Sequence, residues 1–305
     1  MSNENKKGYV VMNKNFIFIK NNNDTFLYYL SFIPLLIYGL YKNGYLLVNN
    51  NYTNSFDAYK IIMYPIGCII IGLLFSLVFK KRKRYIVSFA TLMGMAAPYN
   101  FNMFLYYGIV FAFLFISYIV PNKYKINEAS FLLTLLIILN YFSKQFSMFN
   151  PMELSKEYSY SLVDLFFGRG ASFLFTSSIV YLILAFFILS FIKTYKKDIP
   201  LQTSTFFFAF VLIYMIVTKT YLNNIKLLFN GTTIFSFVYL ATINEASPST
   251  KKITYIYSFL IALLSFVLIY IYDIYTGGVL SVFIISVLYR IYEMIRQKVF
   301  LKNLC

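Results

Sequence analysis

From Tyr59 to Phe79 the chain reads YKIIMYPIGCIIIGLLFSLVF, in which Lys60 is the only charged residue. A helix of about 20 apolar residues can cross a hydrocarbon core of roughly 30 Å, where every backbone polar group must find its partner inside the protein. Such runs recur along the sequence. Only 12% of the residues are charged, against about 25% in a soluble domain. The chain is therefore expected to be an all-α polytopic membrane protein. Ten segments stand out: Thr25–Tyr41, Tyr59–Phe79, Tyr85–Ala97, Phe101–Val120, Ile126–Phe142, Ala171–Ile192, Ile199–Thr218, Leu227–Thr242, Ile253–Tyr272 and Val279–Tyr292.

Charge orients them. With the N-terminus in the cytoplasm, the inner side receives Lys6, Lys7, Lys14 and Lys20, the run Lys80-Lys81-Arg82-Lys83-Arg84, Lys123, Lys125, Lys193, Lys196 and Lys197. Lys251, Lys252, Arg290, Arg296, Lys298 and Lys302 join them, making 20 of the 27 basic residues. This bias is what the positive-inside rule predicts. It accounts for the net charge of +16 without a nucleic-acid partner; the partner it implies is the bilayer. The first twenty residues lack the apolar core and cleavage site of a signal peptide, so the first span is expected to be retained. The predicted organisation is a cytoplasmic segment 1–24, one transmembrane domain 25–295 and a cytoplasmic tail 296–305. Halves of about 25–142 and 171–292 flank an outer loop 143–170. Both termini are placed in the cytoplasm and the protein in the plasma membrane.

Two segments are too short to cross straight. Tyr85–Ala97 stops at Pro98, and Leu227–Thr242 contains Asn230-Gly231-Thr232-Thr233. Interrupted segments in corresponding places of two halves are a mark of inverted-repeat cores. They are the third and eighth spans and run in opposite directions, which predicts about ten transmembrane helices in two inverted five-helix halves. The pentapeptide INEAS occurs twice, at Ile126–Ser130 and Ile243–Ser247. Its copies do not occupy equivalent places in the halves, so it is not read as a repeat. Both fall on the cytoplasmic side, where Glu128 and Glu245 could line one vestibule and serve an ion pathway.

The composition also excludes much chemistry. With no histidine and two cysteines, Cys68 and Cys305, there is no His/Cys zinc site, no four-cysteine cluster, no imidazole triad and no disulfide framework. No metal site is expected. No nucleotide-binding loop is present. Gly168-Arg169-Gly170-Ala171-Ser172 precedes the sixth span on the outer side, where free N–H groups at a helix start beside an arginine can hold an anionic group.

The back half is identified as resembling a membrane subunit shared by two redox pumps, the D subunit of Rnf electron-transport complexes and the B subunit of the sodium-translocating NADH:quinone reductase. Ser161-Leu162-Val163-Asp164-Leu165-Phe166-Phe167-Gly168, followed by Thr176-Ser177, is similar to that family's "LLDLFLG…GETS" passage. Leu240-Ala241-Thr242-Ile243-Asn244-Glu245-Ala246-Ser247-Pro248 is similar to its "MATDPVTSP" turn, and Thr276-Gly277-Gly278 precedes a last helix. Tyr124-Lys125-Ile126-Asn127-Glu128-Ala129 is similar to "YNIFNPA". The matches are colinear over roughly residues 80–295.

The resemblance implies a subunit that carries flavin, as FMN or riboflavin, and passes electrons across the membrane with Na⁺ or H⁺ movement. It also implies other membrane subunits and flavoprotein or iron–sulfur subunits as partners. Thr176, Ser177, Thr242, Ser247 and Asn127 are the candidate cofactor-binding residues; no catalytic residue is assigned. Family members attach FMN to a threonine in an "SGAT"-like motif of the outer loop. Residues 143–170 contain no threonine, so flavin here is expected to be non-covalent. An inverted-repeat solute transporter or channel and a non-redox membrane scaffold subunit remain the alternative readings.

Overall fold

A computed structural model describes residues 22–79, 83–120, 126–143, 149, 160–219, 228–243 and 246–302. Among these, all regular structure is helical. The helices are α1 (Asn22–Leu40), α2 (Met63–Val78), α3 (Lys83–Met95), α4 (Met103–Ile119), α5 (Glu128–Ser143) and α6 (Leu162–Phe167). They continue with α7 (Ile179–Ser190), α8 (Asp198–Thr218), α9 (Gly231–Phe235), α10 (Lys251–Phe266) and α11 (Gly277–Lys302). Three π-helical turns extend them: Tyr41–Tyr45 carries α1 on to a last turn at Leu46–Asn49, Ser236–Leu240 follows α9, and Val267–Ile271 follows α10.

Each of the ten apolar segments falls on a helix. Four stretches, Ala58–Val78, Asp198–Thr218, Lys251–Ile271 and Gly277–Arg296, are long and apolar enough to cross a membrane. Tyr85–Met95, Met103–Ile119, Glu128–Phe142, Ile179–Ser190 and Gly231–Leu240 are apolar but shorter. The outward faces are greasy: Leu77, Val78, Phe104, Phe187 and Val217 are all exposed. The interior, by contrast, holds hydroxyls such as Ser31, Thr203, Ser258, Ser265 and Ser281. That inversion suits a lipid solvent, in which small and hydroxyl residues let helices approach and bond to one another. The Oγ atoms of Ser265 and Ser281 lie 2.5 Å apart between α10 and α11. The main packings are α2 along α3, α8 along α10, α1 along α7, and α10 on α11.

Both predicted interruptions are present. α3 stops at Met95, before Pro98, which has no N–H to continue the ladder. Its freed carbonyls are taken up by the Tyr106 hydroxyl, bonded to Met93 O at 2.6 Å, and by backbone N–H groups from the other half of the chain. α9 begins at Gly231, capped by Asn230, whose Oδ1 accepts from Thr233 N at 3.3 Å. With its π turn it spans about 15 Å at 1.5 Å per residue, half the hydrocarbon thickness.

One expectation needs correction, and one residue was overlooked. The sixth segment does not become helical at Ala171: α7 starts only at Ile179, and Ala171–Ser178 is buried, non-helical chain. Its backbone is committed elsewhere, with Leu174 N bonded to Ala97 O and Phe175 N to Met95 O, both at 3.2 Å. Lys42, which follows the first apolar segment, is 1% exposed. The π turn that carries α1 past Tyr41 turns this residue inward, where Nζ donates to Gly170 O at 2.9 Å and Ser172 Oγ at 3.0 Å.

Candidate functional site

The three passages of the back half that bear the family resemblance lie far apart in sequence, yet all of them meet α9. The first begins with Ser161, whose hydroxyl accepts from Asp164 N at 3.1 Å while the Asp164 carboxylate accepts from Ser161 N, a reciprocal cap that starts α6. Gly168 ends that helix at φ 104°, in the left-handed region glycine tolerates. Arg169 folds back onto Asp164 at 3.0 Å with both side chains about a third exposed or more. Such a pair contributes about 0–1 kcal/mol. Arg169→Ala is expected to move the thermal midpoint by no more than a few degrees; a large drop would mean that Arg169 holds something besides Asp164. Burial raises the Tyr160 phenol above its ordinary range, and Arg169 nearby partly offsets this.

Past Gly168 the chain runs without helix through the interior, with a turn closed by Thr176 N on Phe173 O at 3.2 Å, and reaches the N-terminal end of α9. Thr176 Oγ1 lies 3.3 Å from Thr232 Oγ1, and Thr232 Oγ1 also accepts from Phe173 N at 3.3 Å. Asn43 Nδ2 donates to Leu174 O at 2.5 Å. Gly231 is pressed so close to this stretch that a Cβ there would stand 2.5 Å from the Ser177 carbonyl carbon. The starts of α7 and α9 are therefore side by side. Each helix start carries unpaired N–H groups and a partial positive charge. The hydroxyls of Ser177 and Ser178, just before α7, and that of Thr233, in α9 against Gly278, are buried with no hydrogen-bond partner. A buried hydroxyl left unpaired costs about 1–3 kcal/mol, so their presence needs a reason.

The second passage closes the opposite end of α9. Asn127 Nδ2 donates to Leu240 O at 2.8 Å, while its Oδ1 accepts from Ser130 N at 3.1 Å and caps α5. The Tyr195 hydroxyl takes Val238 O at 2.9 Å. Thr242 Oγ1 donates back to Val238 O at 2.9 Å, and Ser247 Oγ to Ile243 O at 2.8 Å. Lys196 Nζ binds both Ser247 O at 2.7 Å and Ser247 Oγ at 2.8 Å. The third passage packs on the side of α9: Gly278 is so near that an added Cβ would stand 2.7 Å from Thr233 Cα, and Asn230 Nδ2 donates to Tyr275 O at 2.6 Å.

The five candidate residues therefore form two groups rather than one. Thr176 and Ser177 sit at the start of α9, and Asn127, Thr242 and Ser247 at its end, about 15 Å away by helix rise. The two copies of INEAS come close together, because Asn127 of the first bonds to a carbonyl three residues before the second. Glu128 is buried and accepts a short hydrogen bond from the Tyr85 hydroxyl, which lies 3.2 Å from Ser117 Oγ. Glu245 lies outside the described residues. Among the described residues no group of three or more His, Cys, Asp or Glu could hold a metal. Sequence reasoning passed over Lys42 and Asn43, and met Ser178 and Thr233 without making them candidate site residues. For the first two no local signal exists, since a Lys-Asn pair after an apolar run ordinarily reads as an interfacial anchor. The hydroxyl pair Ser177-Ser178 and the polar break at Asn230 could have suggested the others.

Apolar helices, buried hydroxyls and chain breaks stabilised from within define a multi-pass membrane protein built around a short internal helix. The sequence matches the NQR2, RnfD, RnfE family over residues 25–301, and the chain belongs to that family. It is accordingly a membrane subunit of the Rnf/Nqr type, working within a multi-subunit membrane complex. No curated protein matches the chain.

Proposed function

We propose that this protein is the flavin-bearing subunit of an Rnf-like, ion-translocating electron-transport complex of the plasma membrane, with both termini in the cytoplasm. In this reading its ten spans form two inverted five-helix halves. α3 and α9 are the matching interrupted helices, and α1 and α7 pack together between the halves. The observation that carries the proposal is the unpartnered hydroxyls of Ser177 and Ser178 where the starts of α7 and α9 meet, with that of Thr233 one helical turn or less along α9. A flavin supplies the redox chemistry when bound, and the protein supplies position and electrostatics. The three hydroxyls fit the polar edge of such a ring, and two adjacent helix starts favour the negative charge that a reduced flavin or its phosphate carries. Thr176 orients the site through Thr232.

Asn127, Thr242 and Ser247 have a different part in this reading. Their polar atoms are engaged in closing α9, so they position the helix rather than hold the cofactor. Electrons need a donor and an acceptor, and a chain with two cysteines and no histidine holds neither a four-cysteine cluster nor a histidine-ligated haem. Flavoprotein or iron–sulfur subunits are the partners that supply them.

The test is an absorbance spectrum over the flavin bands of freshly purified protein co-expressed with its partner subunits, repeated on the supernatant after acid precipitation. Flavin released by acid is expected. The double variant Ser177→Ala/Thr233→Val is expected to lose most of that flavin while its cofactor-free form is at least as stable as the wild type, because two unpaired buried hydroxyls have been removed. Absence of flavin from both pellet and supernatant would sink the proposal.

A further inference from the structure

A lysine amine enclosed within a membrane protein is costly, and such residues mark functional sites by default. At a helix end the same side chain can reach the interface at little cost. Lys42 is enclosed, although it stands only two residues past α1. It lies on the π turn Tyr41–Tyr45, a widened turn of the kind that recurs at functional sites. Its Nζ donates to Gly170 O at 2.9 Å and to Ser172 Oγ at 3.0 Å, and Asn43 beside it holds Leu174 O. This end of α1 thus grips the chain from Gly170 to Leu174. One turn earlier, the Tyr38 ring lies 5.3 Å from that of Tyr181, three residues after Ser178. The amine and the unpartnered hydroxyls of Ser177 and Ser178 therefore adjoin a single stretch, Gly170–Ser178, near its two ends.

Read from sequence, the stretch Gly168–Ser172 holds an anionic group with the help of Arg169. The structure gives that arginine another task, since it folds back onto Asp164 at 3.0 Å. The cation brought to Gly170 and Ser172 comes instead from Lys42, 128 positions before Gly170. The site therefore carries two unlike polar features, neutral hydroxyls toward one end and an amine toward the other. A phosphate-bearing flavin has two matching ends: a ring edge of neutral donors and acceptors, and a phosphomonoester of about −1.5 to −2 charge at pH 7. Riboflavin has only the first.

We infer that Lys42 sets the specificity of this site, its ammonium pairing with the phosphate of FMN and favouring it over riboflavin. The inference rests on the flavin reading for the ring and on Lys42 for the phosphate. Hydrogen bonds between charged groups are roughly twice as strong as neutral ones, and Coulomb attraction grows as water is excluded. The two ends of the ligand can therefore be separated by experiment. Loss of the amine weakens the hold on the phosphate and leaves the ring edge its hydroxyls.

The experiment uses the full-length protein purified with its partner subunits, whose acid-released flavin is resolved by chromatography into FMN and riboflavin. FMN is expected in excess from the wild type. Lys42→Gln is neutral yet still carries an N–H donor for Gly170 O and Ser172 Oγ. It is expected to lower the FMN-to-riboflavin ratio at least about tenfold, with total flavin falling much less. Lys42→Met is the second neutral variant should glutamine fail to yield folded protein, and Lys42→Arg, which keeps the charge, is expected to retain the excess. A monodisperse peak on detergent size-exclusion chromatography checks folding in each case. Riboflavin equal to or above FMN in the wild type overturns the inference and leaves the flavin reading standing, as does an unchanged ratio in the neutral variants. Parallel loss of both flavins, the mark of a lysine that only braces the chain, overturns it too. Absence of all flavin from the wild type overturns both.

Discussion

Gly231→Val is expected to give little or no monodisperse protein on detergent size-exclusion chromatography. The first atom of any side chain at this position meets main-chain atoms of Thr176 and Ser177. Backbone cannot swing aside as a rotamer can, so α9 or the Ala171–Ser178 stretch has to move as a body. Overpacking in a well-filled interior costs about 1–3 kcal/mol, and a backbone clash belongs at the upper end. At about 2–4 °C per kcal/mol for a domain of this size, the drop in thermal midpoint is on the order of 6–12 °C, with flavin content falling alongside. Gly108→Ala is the control. A Cβ at Gly108 meets nothing within 4 Å, and Ala is favoured over Gly inside a helix by up to about 1 kcal/mol. That variant is expected to hold or raise the midpoint. Equal behaviour of the two variants would refute the close approach of α9 to the chain before α7.

Asn127→Leu is expected to have the second largest effect. It removes the donor to Leu240 O and the cap on Ser130 N together, and leaves a carbonyl buried without a partner. A lost cap costs about 0.5–2 kcal/mol and a stranded buried acceptor about 1–3 kcal/mol. Asn127→Ser separates the contributions, because serine can still cap α5 but cannot reach across to α9. Its loss is expected to be about half to two thirds of that of the leucine variant, read as thermal midpoint in one detergent. If serine behaves as wild type, the bond to Leu240 O contributes nothing and this end of α9 is held by Tyr195 and Thr242.

The helices were largely legible in the sequence, and the reason is the solvent. Lipid demands long apolar runs with few charges, so the four long apolar helices and the five shorter ones announced themselves. The breaks at Pro98 and Asn230-Gly231 were legible too, since proline and a polar tetrapeptide interrupt a helix wherever they stand. Ala171–Ser178 was not. ASFLFTSS has the composition of a membrane helix, and its non-helical form is stabilised by the carbonyls of Met95 and Ala97, some 75 residues earlier in the chain. Lys42 was overlooked for a related reason, because no local rule says that α1 runs on through a π turn and brings the amine to Gly170 O. For the candidate site, sequence named residues at both ends of α9 but not the gap between them. Colinear motifs carry no distance.

α9 also sets an order of events in making the protein. One end of this helix depends on Thr176 and Ser177, the other on Asn127, and its flank on Tyr239, which lies 2.8 Å from Ser31 across 208 positions of sequence. The last support, Tyr275 and Gly278, leaves the ribosome after almost everything else. Until then α9 is a ten-residue segment with bare ends, too short to be at home in lipid on its own. The centre of the molecule is thus the last part to close, and a nascent chain stalled anywhere before Gly278 presents quality-control proteases with a short apolar helix still lacking its last support.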